Sequence, residues 1–451
     1  MIMTYKHLHF AFLLMTAMSI NGQLAKDTGL VNKVGVTTSH SKQKDHGMTP
    51  EQVKEDVDIL VKTLKSNHPG LYDYQSKEDF EKFLKVLDNE IASAKSIFDE
   101  YRIVSRVVAM VGDAHTYTIY PNDGKILQDH LLFPVIPKVD NNEITIDGKK
   151  VQSINGKRAN TILKELQVYL NSDGNTLPYK NAFIEMEFPL RYFLFIDDAD
   201  TFKVIFENGE SIDLKGRSYY NEGLRPKQAS PTFQIKENRA ILKIPSWEDN
   251  TAGSFNNDLS EMANTSVLGK FMKSSLEEAI ENEVEQLVVD LRGNKGGKSG
   301  PAAILLSYLI ATPFKHYDQI KVAGQYFPTK EFITNKELVA FYESDTAQNM
   351  IQETAGELFF KKSLLPKIQP NADQFKGTLE ILVDKYTLSV STDVVAILKN
   401  HLDFIVTGEE IGGSLEHYCA GNYINLKLPH SAIEVNIPLQ RLQYEKKSGK
   451  N

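Results

Sequence analysis

Ser389 sits in DKYTLSVSTDVVAILKN (384–400), directly after the buried-strand pattern LEILV and at the start of a run with helical spacing. An earlier turn, VVDLRGNKGG, ends at Gly297 after a second apolar strand. In both places a strand runs into a turn that opens a helix, so Ser389 and the backbone N–H groups near Gly297 are expected to converge at the carboxyl edge of one sheet. A hydroxyl nucleophile facing N–H donors is the minimum equipment for acyl transfer. The competing reading is structural. Serine is also a favoured helix N-cap, and Arg292 and Asn294 can serve to satisfy the exposed carbonyls at the end of the D-L-R strand.

The two turns resemble those of the tail-specific, or C-terminal processing, serine peptidases. In that family a strand ending in D-L-R-x-N-x-G-G supplies an oxyanion donor and a later S-A-S-E turn supplies the nucleophile. The first motif is present as Asp290, Leu291, Arg292, Asn294, Gly296 and Gly297, and the second reads Ser389, Val390, Ser391, Thr392. The resemblance implies Ser389 as nucleophile, the amides of Gly297 and Val390 as oxyanion donors, and Ser391 as the second, non-nucleophilic serine. Better-known bacterial members take their base from a lysine in G-E-x-x-x-G-K. Here that stretch is GEEIGGS, and Ser414 cannot accept a proton as an amine can. In VVAMVGDAHTYTIY, the residues Asp113, His115 and Thr116 resemble the D-x-H-T signature of the tricorn-like branch, which implies His115 as general base. That branch orients its site through an acidic residue downstream of the nucleophile. Glu409, Glu410, Glu416, Glu434 and Glu445 are the candidates, and Glu445 lies closest in order to the implied position.

These residues need a scaffold of α/β class, an α+β multidomain chain whose catalytic part resembles the ClpP/crotonase type. Residues 1–22 read as a signal peptide, with Lys6 before an apolar stretch from about Phe10 to Ile20, or alternatively as an uncleaved anchor. A polar leader fills 23–48. Residues 49–125 read as a helical domain carrying the D-x-H-T segment. Thr49, Pro50 and Gln52 signal its first N-terminus, followed by Val53, Val57, Leu60 and Leu64 at helical spacing. His68, in the HPGLY turn, reads as a turn or packing residue.

Alternating strands with Asp-Gly and Asn-Gly turns fill 126–225, where the family has a PDZ-like module. Peptide capture by strand addition is one use of such a module. Residues 226–451 form the catalytic block, with 311–376 either a lid or groove wall or a surface insertion without a catalytic role.

The net charge of −8 and the absence of a long basic stretch argue against a nucleic-acid partner. The single cysteine, Cys419, excludes an intramolecular disulfide and reads as a packed thiol. Histidines such as His115, His401, His417 and His430 do not fall at ligand spacing, and GNKGG lacks a phosphate-loop ending. No metal or cofactor is expected. The expectation is an exported, periplasmic or extracellular serine endopeptidase acting on peptides or protein tails. Its rival is a non-catalytic carrier, because the interphotoreceptor retinoid-binding protein uses a related fold for lipophilic ligands.

Overall fold

A computed structural model describes residues 47–119, 130–218, 229–255 and 257–445. The expected signal peptide and most of the polar leader lie outside the described residues. The first helix, Pro50–Asn67, starts where its capping residues direct. The Thr49 hydroxyl accepts from the Gln52 amide, and the Gln52 side chain accepts from the Thr49 amide at 3.0 Å. At helices Lys77–Ser93 and Ile97–Val111 the hydroxyls of Ser76 and Ser96 accept from the amides of Asp79 and Asp99. The third helix stops at Gly112, whose φ of 72° places it in the left-handed region. From there the chain turns into the D-x-H-T segment.

These helices do not close on a core of their own. Val53, Leu60 and Val104 pack with Ile424, Ile437 and Leu439 from a late hairpin and with Leu338, Val339 and Tyr342 from the 311–376 stretch. The hairpin strands His417–Lys427 and Glu434–Gln443 run longer than the apolar stretches 424–428 and 433–439, because antiparallel pairing carries them past the apolar residues. Strand Tyr117–Ile119 joins the edge of this sheet, with Tyr117 opposite Asn436. Further along the same edge of Glu434–Gln443, strand Gln319–Val322 pairs, with Ile320 lying opposite Leu442. The 311–376 stretch therefore contributes buried residues to two cores.

The central sheet has the order Thr232–Lys236, Arg239–Lys243, Gln286–Asp290, Thr378–Val383, Ile405–Gly408. Its first pair is antiparallel and the rest parallel. Parallel strands need crossover helices, and Val267–Glu281, Ser299–Leu309 and Val390–His401 supply them. Val289 and Ile381, opposite each other in neighbouring strands, share a buried cluster with Trp247, Leu305 and Val394. The two chemical turns fall at the carboxyl ends of the adjacent strands Gln286–Asp290 and Thr378–Val383.

Residues 138–215 form an antiparallel sheet with helices Ala159–Val168 and Leu177–Phe195 over it, around its own core of Val139, Ile154, Phe188 and Phe202. A buried lysine joins this module to the catalytic block. Lys385, four residues before Ser389, donates to Val139 O at 2.6 Å, to Glu185 at 3.0 Å and to Asp140. A lysine buried with two carboxylates and a carbonyl is costly to unpair, so this contact fixes the module against the serine turn.

Candidate active site

Ser389 immediately precedes the helix Val390–His401 with φ 50° and ψ −124°. A non-glycine residue there is strained, and it lies outside the left-handed basin that asparagine or aspartate can tolerate. Its side chain caps nothing, so the N-cap reading fails. The strain has an identifiable frame. Leu388 N donates to Asn294 O at 3.2 Å, and the buried Asn294 side chain donates to Ile244 O at 2.8 Å and accepts from the Gly296 amide at 2.9 Å. Asp384 accepts from the Gly293 amide at 2.9 Å. The serine turn is thus tied to the glycine turn at several points.

Gly296 and Gly297, at φ 103° and 140°, let the backbone pass beside the serine. A Cβ on Gly296 would sit 2.7 Å from Ser389 Cβ, and one on Gly297 would sit 2.5 Å from the Trp247 carbonyl carbon. The only tryptophan staples the same turn: Trp247 N donates to Gly296 O, Lys298 N donates to Trp247 O, and Trp247 Nε1 donates to Ser391 Oγ at 2.9 Å. Ser391 is therefore a buried acceptor. Among the described residues the amides of Gly297 and Val390 donate to no protein acceptor. Two N–H groups next to a strained serine, both free, have the character of an oxyanion hole.

His115 reaches this neighbourhood through its flanks. Ala114, Leu388 and Tyr179 form a small apolar cluster, with the Tyr179 hydroxyl donating to Ala114 O at 3.0 Å, so the residues preceding His115 and Ser389 are neighbours. The imidazole is 8% exposed and lies 5.2 Å, centroid to centroid, from the Tyr418 ring. No hydrogen bond joins Ser389 to His115 in this structure; such bonds commonly tighten only with substrate bound. Burial lowers the imidazole pKa below its ordinary value, against the opposing charges of Asp113 and Asp393.

The surroundings of His115 were largely illegible in the sequence. His68 Nε2 lies 3.2 Å from Asp113 Oδ2 and 3.0 Å from Thr116 Oγ1, so the HPGLY histidine braces the D-x-H-T segment and is more than a turn residue. Burial pushes Asp113 upward, but His68, His115 and Thr116 outweigh it and hold the carboxyl below the usual range. Asp173, between the two helices of the middle module, accepts from the Ala114 amide at 3.0 Å and the Ser414 amide at 3.4 Å. Burial and then the charge of Asp113 raise its pKa to about 7. Asp393, one turn beyond Ser389, is fully buried and accepts from the hydroxyls of Tyr317, Tyr418 and Tyr444, with His316 Nε2 at 3.0 Å. Its one sequence signal was an acidic residue on the inward face of an apolar helix. Asp393 holds Tyr418, and Tyr418 packs on His115.

Glu445 is placed elsewhere. Its carboxylate faces His401 at 3.4 Å with the side chain 33% exposed, and no contact joins it to His115. Order along the chain pointed to Glu445; the pairing of the last helix with the chain end took it away. Ser414, in the position of the family lysine, accepts from the amides of Glu416 and His417.

A strained serine thus stands opposite a glycine turn on the carboxyl edge of a largely parallel sheet. Residues 238–417 match the model of peptidase family S41. Among solved structures, mature CPAF complexed with lactacystin is similar over 88% of this chain and 91% of that chain, at 12% identity and a TM-score of 0.56. Mature CPAF is similar over 87% and 89%, at 12% identity and 0.52. The photosystem II D1 C-terminal processing protease is similar over 90% of each chain, at 12% identity and 0.43. No curated protein matches this chain by sequence. At 12% identity the likeness to the two CPAF structures speaks for the fold alone, which is the multidomain α/β fold that the motifs implied.

Proposed function

We propose that the protein is an exported serine endopeptidase that hydrolyses peptides or protein C-terminal tails through an acyl-enzyme on Ser389. The observation that carries this reading is the backbone of Ser389, held at φ 50° and ψ −124° against Gly296 with its hydroxyl making no cap to the helix it precedes. Strain at a single serine, maintained by Asn294 and Asp384, serves the presentation of its Oγ. In the reaction Ser389 Oγ attacks the scissile carbonyl carbon as its proton passes to His115. The resulting oxyanion accepts from the amides of Gly297 and Val390. His115 then returns the proton to the leaving amine, and water attacks the ester in the second half. Asp113 and Asp393 supply the negative charge that favours the transient imidazolium. Export is supported by the apolar stretch near the amino terminus. Among the described residues no helix is long and apolar enough to cross a membrane.

The direct test is a fluorophosphonate probe on the purified full-length protein, with the labelled peptide mapped by mass spectrometry. Labelling at Ser389 is expected. A folded protein that stays unlabelled favours the carrier reading instead.

The donors can be tested separately. In Gly297→Ala the new Cβ meets the Trp247 and Glu248 backbone, and alanine rarely adopts φ 140°. The turn must shift and carry the amide off the oxyanion. We expect kcat to fall at least about a hundred-fold, the scale for losing one such donor, with circular dichroism unchanged. Normal turnover in the folded variant assigns the glycine turn a structural role only.

A further inference from the structure

We infer that Asp113, His115 and Asp173 form a binding site for a divalent zinc-class ion, and that the ion switches the peptidase off by occupying its base. The inhibitory part rests on the proposal that His115 is the base; the binding part does not.

A ring nitrogen of His115 and one oxygen each of Asp113 and Asp173 lie within 4.8 Å of one another, and all three residues are buried. Yet among the described residues no hydrogen bond joins the imidazole to either carboxylate, and His115 Nδ1 is buried without any partner. Groups gathered this closely without bonding directly are near enough for one ion to bridge them. Two ligands of one zinc ion, each about 2.0–2.2 Å from it, stand roughly 3–4 Å apart, so a small side-chain adjustment closes the set. An imidazole with two carboxylates is a three-ligand set that leaves the fourth zinc position open.

The outer partners that orient metal ligands are also in place. Asp113 accepts from the Thr116 hydroxyl and faces His68 Nε2 at 3.2 Å. Asp173 accepts from the amides of Ala114 and Ser414. Carboxylates fixed in this manner are oriented as ligands before an ion arrives. Among the described residues neither carboxylate is paired with a lysine or arginine, so the charge a cation would neutralise is uncompensated by those side chains. His68, Asp113 and Cys419 form a neighbouring set of potential ligands, but there His68 is already committed to Asp113 and Thr116.

The inhibition follows from tautomer chemistry. A general base must present Nε2 without a proton to Ser389. If zinc takes Nδ1, the neutral ring carries its proton on Nε2; if zinc takes Nε2, the lone pair is gone. Either way His115 no longer accepts from the serine.

The test uses chelator-treated full-length protein titrated with zinc chloride by calorimetry, alongside peptide hydrolysis. One equivalent is expected to bind and to suppress hydrolysis, with EDTA restoring it. Asp173→Asn, which keeps an acceptor for the Ala114 amide, should bind zinc at least about a hundred-fold more weakly. His115→Gln, read by calorimetry alone, is the second ligand-loss variant, and circular dichroism checks both folds. Ser389→Ala should bind zinc like the wild type. That arm reads the site even if the protein hydrolyses nothing, in which case the peptidase proposal falls and the metal site stands. Equal zinc affinity in the wild type and folded Asp173→Asn, or loss of binding in Cys419→Ser, overturns the assignment.

Discussion

Ser389→Ala is expected to abolish peptide hydrolysis, lowering kcat on the order of a million-fold as loss of a triad nucleophile does, while leaving thermal stability nearly unchanged. The stability expectation follows from the contacts. Ser389 Oγ caps nothing, and alanine carries the same backbone strain as serine at φ 50°. Glycine does not. Ser389→Gly should be equally inactive yet more stable than Ser389→Ala by about 1 kcal/mol, because relief of a strained conformation exceeds glycine's added unfolded-state entropy. Casein cleavage gives the first comparison and thermal denaturation the second. Retained cleavage in the alanine variant removes Ser389 as nucleophile. A glycine variant no more stable than the alanine one removes the strain argument.

His115→Ala should fall nearly to the level of Ser389→Ala, and the double variant should be no worse than either single one, since residues acting as a unit are not additive. The pH profile carries the second half of this expectation. The active form of the base is neutral imidazole, so kcat/KM rises with pH through the His115 pKa. Burial lowers that pKa, with Asp113 and Asp393 opposing, and the midpoint of the acid limb should therefore lie below the ordinary histidine value of about 6.5. Asp393→Asn removes one of the two opposing charges and should move the midpoint further down. A midpoint well above 6.5 in the wild type, or wild-type turnover in His115→Ala, assigns the base to another group.

Glycines, helix caps and apolar runs were legible along the chain because each acts over a few residues. The capping box at Thr49 and Gln52, the two strand-turn-helix units around Gly297 and Ser389, and the alternating strands after 131 all act at that range. The D-x-H-T and D-L-R-x-N-x-G-G patterns were legible for the same reason. The glycine turn and the serine turn both lie within the S41 match over 238–417.

What surrounds those motifs was decided by packing between segments far apart in sequence. His68 meets Asp113 across 45 positions, Trp247 meets Ser391 across 144, and Asp173 meets Ser414 across 241. No local period encodes such contacts. Order along the chain chose Glu445 as the acid, but a carboxylate acts where it is, and Glu445 faces His401. Likewise no histidine stands at ligand spacing in the sequence, whereas the fold gathers Asp113, His115 and Asp173 into one buried cluster. The sequence determined which residues can do chemistry, since that is a property of their types and short-range order. Tertiary structure alone decided which charges surround the base, since burial and distance set that field.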